Sequence, residues 1–503
     1  MKRPKNHRVD SMRRTPKLSP RHKSHVWCGV LATGLALLLF HFAACYSVRA
    51  DEPEAPLRAG AAAGNITPPL GVSLNGGMQD RKASYVHDEL YARCLVLDDG
   101  ATRLAIVVCD SCMVPREVFD EAKRLVNENT GLPVEQMLMS ATHAHSAPAS
   151  AGVFQSDAVQ AYRSFLAVRI ADAVRRAIEN LEPARIGWGV GRVPGQVFNR
   201  RWHMKPGAIP ANPFGADDDR VKMNPPAGSP DLIEPAGPTD PDVSVVAVQS
   251  LDGRPIALLA NYSLHYVGGT GSGHVSADYF GMFADRIQQL LGADRQDPPF
   301  VGILSNGTSG DINNINFREP PKRREPYEQM RAVADDVAQE AYRVYQGIQY
   351  VGRVPLGVRK TELRLGVRRP DSAEVARAKA ILEKAEGPDL KSIAEVYARE
   401  TVLLGDYPDH VDLILQAMRI GDLAIAAIPC EVFVEIGLEI KEKGPFDATF
   451  TIELANGYNG YLPTVRHHGL SGYETWRARS SYLEVGAAPK ITAAVLQLMD
   501  ELK

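Results

Sequence analysis

The stretch from Thr102 to Ser146 reads TRLAIVVCDSCMVPREVFDEAKRLVNENTGLPVEQMLMSATHAHS, and it decides the fold class. Its opening segment, TRLAIVV, is short, apolar and rich in β-branched residues, which is typical of a buried strand. Residues 116–129 have helical spacing and end before a Gly-Leu-Pro turn, and residues 137–142 predict a second strand. A strand, a helix and a strand in succession indicate an α/β protein.

The same alternation continues along the chain. The segments that carry it are predicted helices at 158–181 and 327–345, a hairpin of VSVVAVQS and PIALLANYSLH across LDGR, and buried strands in PFVGILSNGTSGD and LAIAAIPCEVF. We therefore predict an α/β fold in which a mixed β-sheet core is flanked by helices. Polar residues follow several of these strands, so we expect the functional site at the strand ends.

Two segments interrupt the alternation. Residues 203–242 are rich in Pro, Gly, Asn and Asp, and we predict an irregular loop excursion there. Residues 371–403 are charged and have helical spacing, which predicts a peripheral helical hairpin.

Composition excludes several classes of protein. The chain has 503 residues, of which 45% are hydrophobic and 23% charged, so it is neither largely disordered nor collagen-like. Residues 51–503 carry 47 Lys+Arg and 59 Asp+Glu, a net charge of -12. An acidic body without a basic stripe argues against a nucleic-acid partner.

The first fifty residues have the pattern of an export signal. Basic residues crowd the start, the run from Val26 to Ala44 is apolar and uncharged, and Val48-Arg49-Ala50 resembles a small-residue cleavage site. We predict that residues 1–50 are a signal peptide and that the mature chain is extracellular or periplasmic. An uncleaved anchor helix is the alternative, because 19 apolar residues can just span a bilayer.

Four cysteines remain after the signal: Cys94, Cys109, Cys112 and Cys430. Four in so long a body do not make a disulfide framework. The spacing of Cys109 and Cys112 leaves three interpretations open, namely core thiols, one disulfide, or a redox or metal role.

A pair of histidines follows the second predicted strand. His143 and His145 stand two residues apart, and on an extended segment both imidazoles would face the same side. Neutral imidazole is a common zinc ligand, so the pair is a candidate metal site. The pattern is weakly specific, and two surface or core histidines remain the alternative.

Other predicted strands also end in polar groups. His265 ends PIALLANYSLH, and Glu431 follows LAIAAIP. A carboxylate there can complete a three-ligand catalytic zinc site. The turn from Asn306 to Asn314 contains glycines that permit tight backbone geometry, and its amides are candidate oxyanion donors. A core histidine and an ordinary polar turn are the alternatives.

Several motifs together resemble the neutral/alkaline (non-lysosomal) ceramidases. The stretches that carry the resemblance are Gly60-Ala61-Ala62-Ala63-Gly64-Asn65-Ile66-Thr67-Pro68, Ser140-Ala141-Thr142-His143-Ala144-His145-Ser146-Ala147-Pro148, Asn199-Arg200-Arg201, Ser276-Ala277-Asp278-Tyr279, Pro429-Cys430-Glu431 and Asn456-Gly457-Tyr458-Asn459-Gly460-Tyr461. The resemblance implies one large catalytic domain over residues 58–490, without the immunoglobulin-like domain that follows it in the family.

The resemblance also implies roles for individual residues. One zinc ion per chain would be held by His143, His265, Glu431 and Tyr461. His145 would act as general acid/base and contact the substrate, and Arg200 and Tyr482 would bind the polar head of the substrate. Asp311 would orient neighbouring groups, and the phenol of Tyr461 would also assist catalysis. The implied reaction is hydrolysis of the N-acyl amide of ceramide-like lipids by zinc-bound water.

One departure from the family pattern affects the choice of substrate. The family has Gly-Asp-x-Ser-Pro-Asn, whereas this chain reads Gly310-Asp311-Ile312-Asn313-Asn314. Asn313 stands where the family has the serine proposed as catalytic. An amide cannot act as a nucleophile in its place, but it can donate a hydrogen bond to an oxyanion. The alternatives are therefore the same site acting on another amide or ester, such as an N-acyl amino sugar or a peptide, or a zinc- or lipid-binding protein without turnover. An N-acyl lipid at a membrane surface is the expected partner, and the oligomeric state stays open.

Overall fold

The computed structural model of the protein describes residues 55–503, so the predicted signal or anchor at residues 1–50 lies outside the described residues. The strands, in chain order, are β1 (Arg58–Asn65), β2 (Ser73–Leu74), β3 (Arg81–Lys82), β4 (Tyr85–Val86), β5 (Tyr91–Asp98), β6 (Arg103–Cys109), β7 (Met137–Ala141), β8 (Glu182–Arg192), β9 (Phe198–Asn199), β10 (Arg201–Met204), β11 (Lys222–Met223), β12 (Leu232–Pro235), β13 (Asp242–Ser250), β14 (Pro255–Tyr262), β15 (His274–Val275), β16 (Val301–Asn306), β17 (Ile312–Asn313), β18 (Leu356–Gly366), β19 (His410–Ile420), β20 (Leu423–Ile428), β21 (Glu431–Val432), β22 (Ala448–Glu453) and β23 (Tyr461–Leu462).

The helices follow the apolar spacing of the sequence. They are α1 (Arg116–Thr130), α2 (Gln160–Glu179), α3 (Asp278–Leu290), α4 (Glu328–Gly347), α5 (Ser372–Leu382), α6 (Ile393–Gly405), α7 (Val434–Lys443), α8 (Val465–Leu470) and α9 (Ala487–Asp500). Helix α1 ends at Gly131, whose φ of 72° is readily adopted by glycine. Helices α5 and α6 both begin with a capping box, which satisfies otherwise unpaired N–H groups of the first turn.

The largest sheet has eight strands in the order β16-β14-β13-β8-β1-β5-β6-β7. Its two outer pairs, β14 with β16 and β6 with β7, are parallel. The inner pairs are antiparallel, and they include the predicted hairpin of β13 and β14. The mixed sheet therefore agrees with the fold class predicted from the sequence.

A second sheet of four strands, β18-β19-β20-β22, packs against the first. Apolar side chains from both sheets form one buried cluster, which includes Ile106, Leu259, Ile425 and Ile452. Helices α1 to α4 cover the other face of the large sheet, and α7 and α9 cover the other face of the small one. The core is therefore made of three apolar layers. One lies between α1 to α4 and the large sheet, one between the two sheets, and one between the small sheet and helices α7 and α9.

The two interrupting segments both contain regular secondary structure, although only residues 371–403 were expected to. Residues 203–242 contain β11 and β12, which pair with β10 in a small three-stranded sheet. Residues 371–403 contain α5 and most of α6. Helix α5 exposes most of its side chains, whereas α6 buries Val396 and Tyr397 in a cluster with Cys112.

The four cysteines of the body are buried free thiols, so Cys109 and Cys112 form no disulfide in this structure. Within residues 55–503, no helix has the length and apolar character needed to cross a membrane.

Candidate active site

Three strand ends deliver His143, His265 and Glu431 to one point. His143 follows β7, His265 follows β14, and Glu431 begins β21 after β20. The side-chain amide of Asn306, at the end of β16, donates to the carbonyl oxygen of Thr142 at 3.3 Å. Because β7 and β16 are the edge strands of the large sheet, this bond shows that the sheet curves until its two edges meet at the site.

The atoms that could bind a metal converge closely. The Nε2 atoms of His143 and His265 are 3.0 Å apart. Oε2 of Glu431 lies 3.3 Å from Nε2 of His143 and 3.8 Å from Nε2 of His265. Each of the three residues exposes at most 2% of its surface. Together with Tyr461, these residues are called the ligand cluster below.

Hydrogen bonds on the far side of each ring fix the histidine tautomers. Nδ1 of His143 lies 2.7 Å from the carbonyl oxygen of Cys112, and Nδ1 of His265 lies 3.1 Å from that of Ser309. A carbonyl oxygen only accepts, so each Nδ1 carries a hydrogen and each Nε2 of a neutral ring presents a lone pair.

The carboxylate of Glu431 adds a third electron-rich atom at this point. Among the described residues, its Oε2 has no hydrogen-bond partner. Two lone pairs and an unpartnered buried oxygen repel one another unless a cation or a proton lies between them. Two imidazoles and one glutamate are also a ligand set of catalytic zinc sites, so the donor atoms fit zinc.

Tyr461 lies beside Glu431 because β21 and β23 pair in parallel, with these two residues opposite each other. The guanidinium of Arg200 lies over its ring, 5.4 Å from the centroid. Burial and the charge of Glu431 raise the pKa of Tyr461 well above its ordinary value, and the charge of Arg200 opposes that rise. The phenol is therefore near both a carboxylate and a cation.

His145 reaches the cluster by a different geometry from the predicted one. Strand β7 ends at Ala141, and His143 has a φ of 73°. The segment is a turn, so the expectation of two imidazoles on one face of an extended segment was wrong. The turn nevertheless places Nε2 of His145 3.0 Å from Nε2 of His143. The ring stacks on Tyr266 with a centroid distance of 3.6 Å, and burial, with the charge of His143, lowers its pKa well below the ordinary value.

Arg200 is held in the interior next to the ligand cluster. Its Nε donates to Oε1 of Glu474 at 2.9 Å, and its Nη2 donates to the carbonyl oxygen of Gly310 at 2.8 Å. Burial alone lowers the pKa of this guanidinium, but Tyr461 and Glu474 raise it above its ordinary value. Arg200 is thus a fixed positive charge beside the phenol of Tyr461.

Asp311 holds neighbouring backbone segments together. Its Oδ1 accepts from the N–H of Val434 at 2.9 Å, and its Oδ2 accepts from the side-chain amide of Asn199 at 2.7 Å. Its carbonyl oxygen accepts from the N–H of Arg200 at 2.8 Å. This arrangement suits the predicted orienting role, because it fixes the segment that carries Arg200.

A sequence model of the N-terminal region of neutral/alkaline non-lysosomal ceramidases matches residues 58–322. The match covers more than half of the chain. The chain belongs to this ceramidase family. Membership implies a hydrolase acting on the amide bond of ceramide, and it confirms the resemblance seen in the motifs.

Two solved structures have a similar fold. The crystal structure of neutral ceramidase from Pseudomonas aeruginosa matches with a TM-score of 0.67 and 18% identity, over 89% of this chain and 75% of that chain. A ceramidase complexed with C2 matches with a TM-score of 0.63 and 18% identity, over 89% of this chain and 74% of that chain. At this identity the likeness establishes the ceramidase fold.

Asn313 lies in this ceramidase fold at the short strand β17, which pairs with β9. Its side-chain amide donates to Oδ1 of Asn224 at 3.1 Å, and its own Oδ1 accepts from the N–H of Asn314 at 2.6 Å. The bond to Asn224 connects two segments of the chain, and the bond to Asn314 is local. Together they leave one amide hydrogen of Asn313 for the predicted oxyanion role.

Tyr482 lines a cavity of about 530 Å³ that also borders Tyr458 and Asn459. Its hydroxyl donates to Oδ1 of Asn459 at 2.8 Å. Tyr458 is between this cavity and the ligand cluster, since its hydroxyl donates to Oε1 of Glu431 at 3.0 Å. Tyr482 and the ligand cluster therefore lie on opposite sides of Tyr458. A substrate group in the cavity would contact Tyr482, and Tyr458 would separate it from the ligand cluster.

Three tyrosines at the site were missed in the sequence. Tyr458 binds Glu431, Tyr266 stacks on His145, and the ring of Tyr473 lies 5.8 Å from that of Tyr461. Tyr458 shares the NGYNGY loop with a predicted ligand, and Tyr266 directly follows another. Those positions were signals that could have been used. For Tyr473 the sequence offers no signal.

Proposed function

We propose that this member of the ceramidase family is an exported, zinc-dependent amidohydrolase that cleaves the N-acyl amide bond of ceramide-like lipids. The observation that carries the proposal is the convergence of three buried electron-rich atoms, the Nε2 atoms of His143 and His265 and the unpartnered Oε2 of Glu431. A site of this kind is stabilised by a divalent cation.

In this proposal, His143, His265, Glu431 and Tyr461 hold one zinc ion. When bound, zinc supplies Lewis acidity, which polarises a carbonyl oxygen and lowers the pKa of water to ~7. The remaining contributions come from the side chains around it.

His145 is the proposed general acid/base. Stacking on Tyr266 fixes the plane of its ring, and its Nε2 faces the ligand cluster. The ring accepts a proton from the attacking water and returns it to the leaving amine nitrogen, as this class of catalyst requires.

Arg200 and Tyr461 are the proposed groups that stabilise negative charge. The guanidinium lies over the phenol ring, so it favours electron density on the phenol oxygen. The same positive charge, together with a donor hydrogen from Tyr461, stabilises the oxyanion that forms from the amide carbonyl. Arg200 also contributes to binding the polar head of the substrate. Asp311 orients Arg200 by accepting a hydrogen bond from its backbone N–H.

Export is proposed from the signal pattern of residues 1–50. Amino-terminal sequencing of secreted protein should give a chain that begins near Asp51. Intact protein recovered from membranes would support the anchor instead.

The test of the function is a hydrolysis assay with controlled metal content. Purified protein is assayed for fatty-acid release from ceramide before chelation, after chelation and after zinc is restored. We expect about one zinc per chain, loss of release on chelation and recovery with zinc. Asp99→Ala is a control, because Asp99 is a buried carboxylate that accepts from the N–H groups of Ala101, Thr102 and Leu356 at the turn between β5 and β6, the opposite end of these strands from His143.

Parallel assays with an N-acyl amino sugar and an N-acyl peptide separate the alternatives. Release from one of these and none from ceramide would contradict the substrate and retain the zinc site. Zinc binding without turnover on any of them would indicate a binding protein. Ceramide hydrolysis that survives complete metal removal would contradict the zinc mechanism.

A further inference from the structure

A buried carboxylate behind the ligand cluster connects the segments that carry two of its members. Glu453 ends β22 and is fully buried. Three hydrogen bonds end on its carboxylate: Oε1 accepts from the hydroxyl of Ser309 at 2.5 Å, and Oε2 accepts from the N–H of Ser309 at 3.2 Å and from the N–H of Val432 at 2.7 Å.

The bonds to Ser309 lead to His265. The carbonyl oxygen of Ser309 is the acceptor that keeps the hydrogen of His265 on Nδ1, and its hydroxyl oxygen is 3.3 Å from the same nitrogen. Glu453 holds both the backbone and the side chain of Ser309, so it fixes the acceptor that sets the tautomer and orientation of the imidazole.

The bond to Val432 leads to Glu431. Val432 is the next residue along β21, and its carbonyl oxygen accepts from the N–H of Gly310 at 2.8 Å. The segment 309–310 and the segment 431–432 are therefore attached to each other and to one carboxylate. A shift of either segment would change the distance between His265 and Glu431.

We propose that Glu453 is a positioning residue that fixes His265 and Glu431 for zinc binding. This inference rests on the proposed zinc-dependent function. Partners behind the metal ligands orient the ligands, so their loss typically weakens metal binding. Glu453 acts through Ser309 and Val432 and needs no contact with the substrate.

The test is a measurement of zinc affinity in the full-length protein. Glu453→Leu keeps roughly the size of the side chain and removes both acceptor oxygens, so all three bonds to Ser309 and Val432 are lost. We expect the zinc Kd, measured by competition with a chelator, to rise roughly 10- to 100-fold. Asp99→Ala, which also removes a buried carboxylate bound to backbone N–H groups, should leave the zinc Kd unchanged, whatever it does to the melting temperature.

Two further measurements distinguish positioning from general stability. The visible absorption spectrum of the cobalt-substituted protein should change in Glu453→Leu and not in Asp99→Ala, because it reports ligand geometry. Ser309→Ala, which retains the carbonyl acceptor, should raise the zinc Kd roughly two- to tenfold, about the effect of one hydrogen bond. The double variant should bind zinc about as weakly as Glu453→Leu alone, because Glu453→Leu already removes the bond to the Ser309 hydroxyl.

A wild-type zinc Kd and cobalt spectrum in Glu453→Leu would overturn the inference and leave the proposed function intact. If Glu453→Leu does not fold, a wild-type zinc Kd in Ser309→Ala would overturn it. Wild-type protein that binds no zinc would overturn both the inference and the proposed function.

Discussion

The ligand cluster and the flanking pair formed by Asn313 and Tyr482 differ in how their side chains are held. Both histidines of the cluster are tied through Nδ1 to backbone carbonyls, so their other nitrogens point at one spot. Asn313 and Tyr482 instead bind the side chains of other loop residues. The contrast indicates that side-chain orientation is most strongly constrained in the ligand cluster, next to the strand ends, and less constrained in the surrounding loops.

The largest effect should come from removing a metal ligand. Glu431→Gln retains the shape of the side chain and removes the charge that balances zinc. Because Lewis-acid stabilisation is worth several kcal/mol, we expect kcat/KM on ceramide to fall by roughly 1,000-fold or more. Elemental analysis should show loss of bound zinc in the same protein. Wild-type activity at full zinc occupancy would contradict the assignment of Glu431.

Tyr461→Phe should have the next largest effect. The change removes one proposed ligand and one donor to the oxyanion but leaves both histidines and Glu431. We expect kcat to fall roughly 100- to 1,000-fold, with zinc weakened but still bound at high concentration. Rates at saturating zinc measure the catalytic part separately. A rate per bound zinc equal to that of the wild type would contradict a catalytic role for the Tyr461 hydroxyl and leave only the packing of its ring against Arg200.

Three members of the ligand cluster could be placed together from the sequence, because they follow apolar strands, and strand ends in α/β folds converge. Tyr461 was expected only from the family resemblance. His143, His265 and Glu431 each end such a segment, so their proximity followed from the pattern. The orientation of His145 could not be predicted, since the positive φ of His143 has no signature in the sequence.

The second sheet was also absent from the prediction. Its edge strand β18 reads LGVRKTELRLG, and the charged residues obscure an apolar alternation. The strand is instead set by pairing along its whole length with β19, more than forty residues later. The surroundings of Tyr482 could not be predicted for the same reason, because the residues that line its cavity come from chain segments far apart in sequence.

Asn313→Ala tests whether the flanking pair contributes to the chemistry. One amide hydrogen of Asn313 is bonded to Asn224, so at most one is free for an oxyanion. We expect kcat to fall by roughly tenfold, the low end for loss of one donor. Asn224→Ala is the matched control, because it removes the loop contact and keeps the amide. Equal rates for the two variants, each normalised to bound zinc, would assign Asn313 to the loop alone.

The smallest effect is expected from Tyr482→Phe, which removes one hydroxyl. That hydroxyl donates to Asn459, and a neutral hydrogen bond of this kind contributes about 1 kcal/mol to stability. The melting temperature should therefore fall slightly, while the zinc Kd stays at the wild-type value. If the phenol also binds the substrate head, as the family resemblance implies, KM for ceramide should rise by roughly two- to tenfold with kcat unchanged.

Tyr458→Phe is the informative counterpart of Tyr482→Phe, because the two side chains line the same cavity and only Tyr458 donates to Glu431. Loss of that bond should weaken zinc binding by roughly 10-fold or more, as expected for a partner of a metal ligand. The pair of variants therefore marks the boundary of the site within a single cavity. If Tyr482→Phe weakened zinc as much as Tyr458→Phe, the distinction between the ligand cluster and the flanking pair would fail, and the cavity as a whole would belong to the metal site.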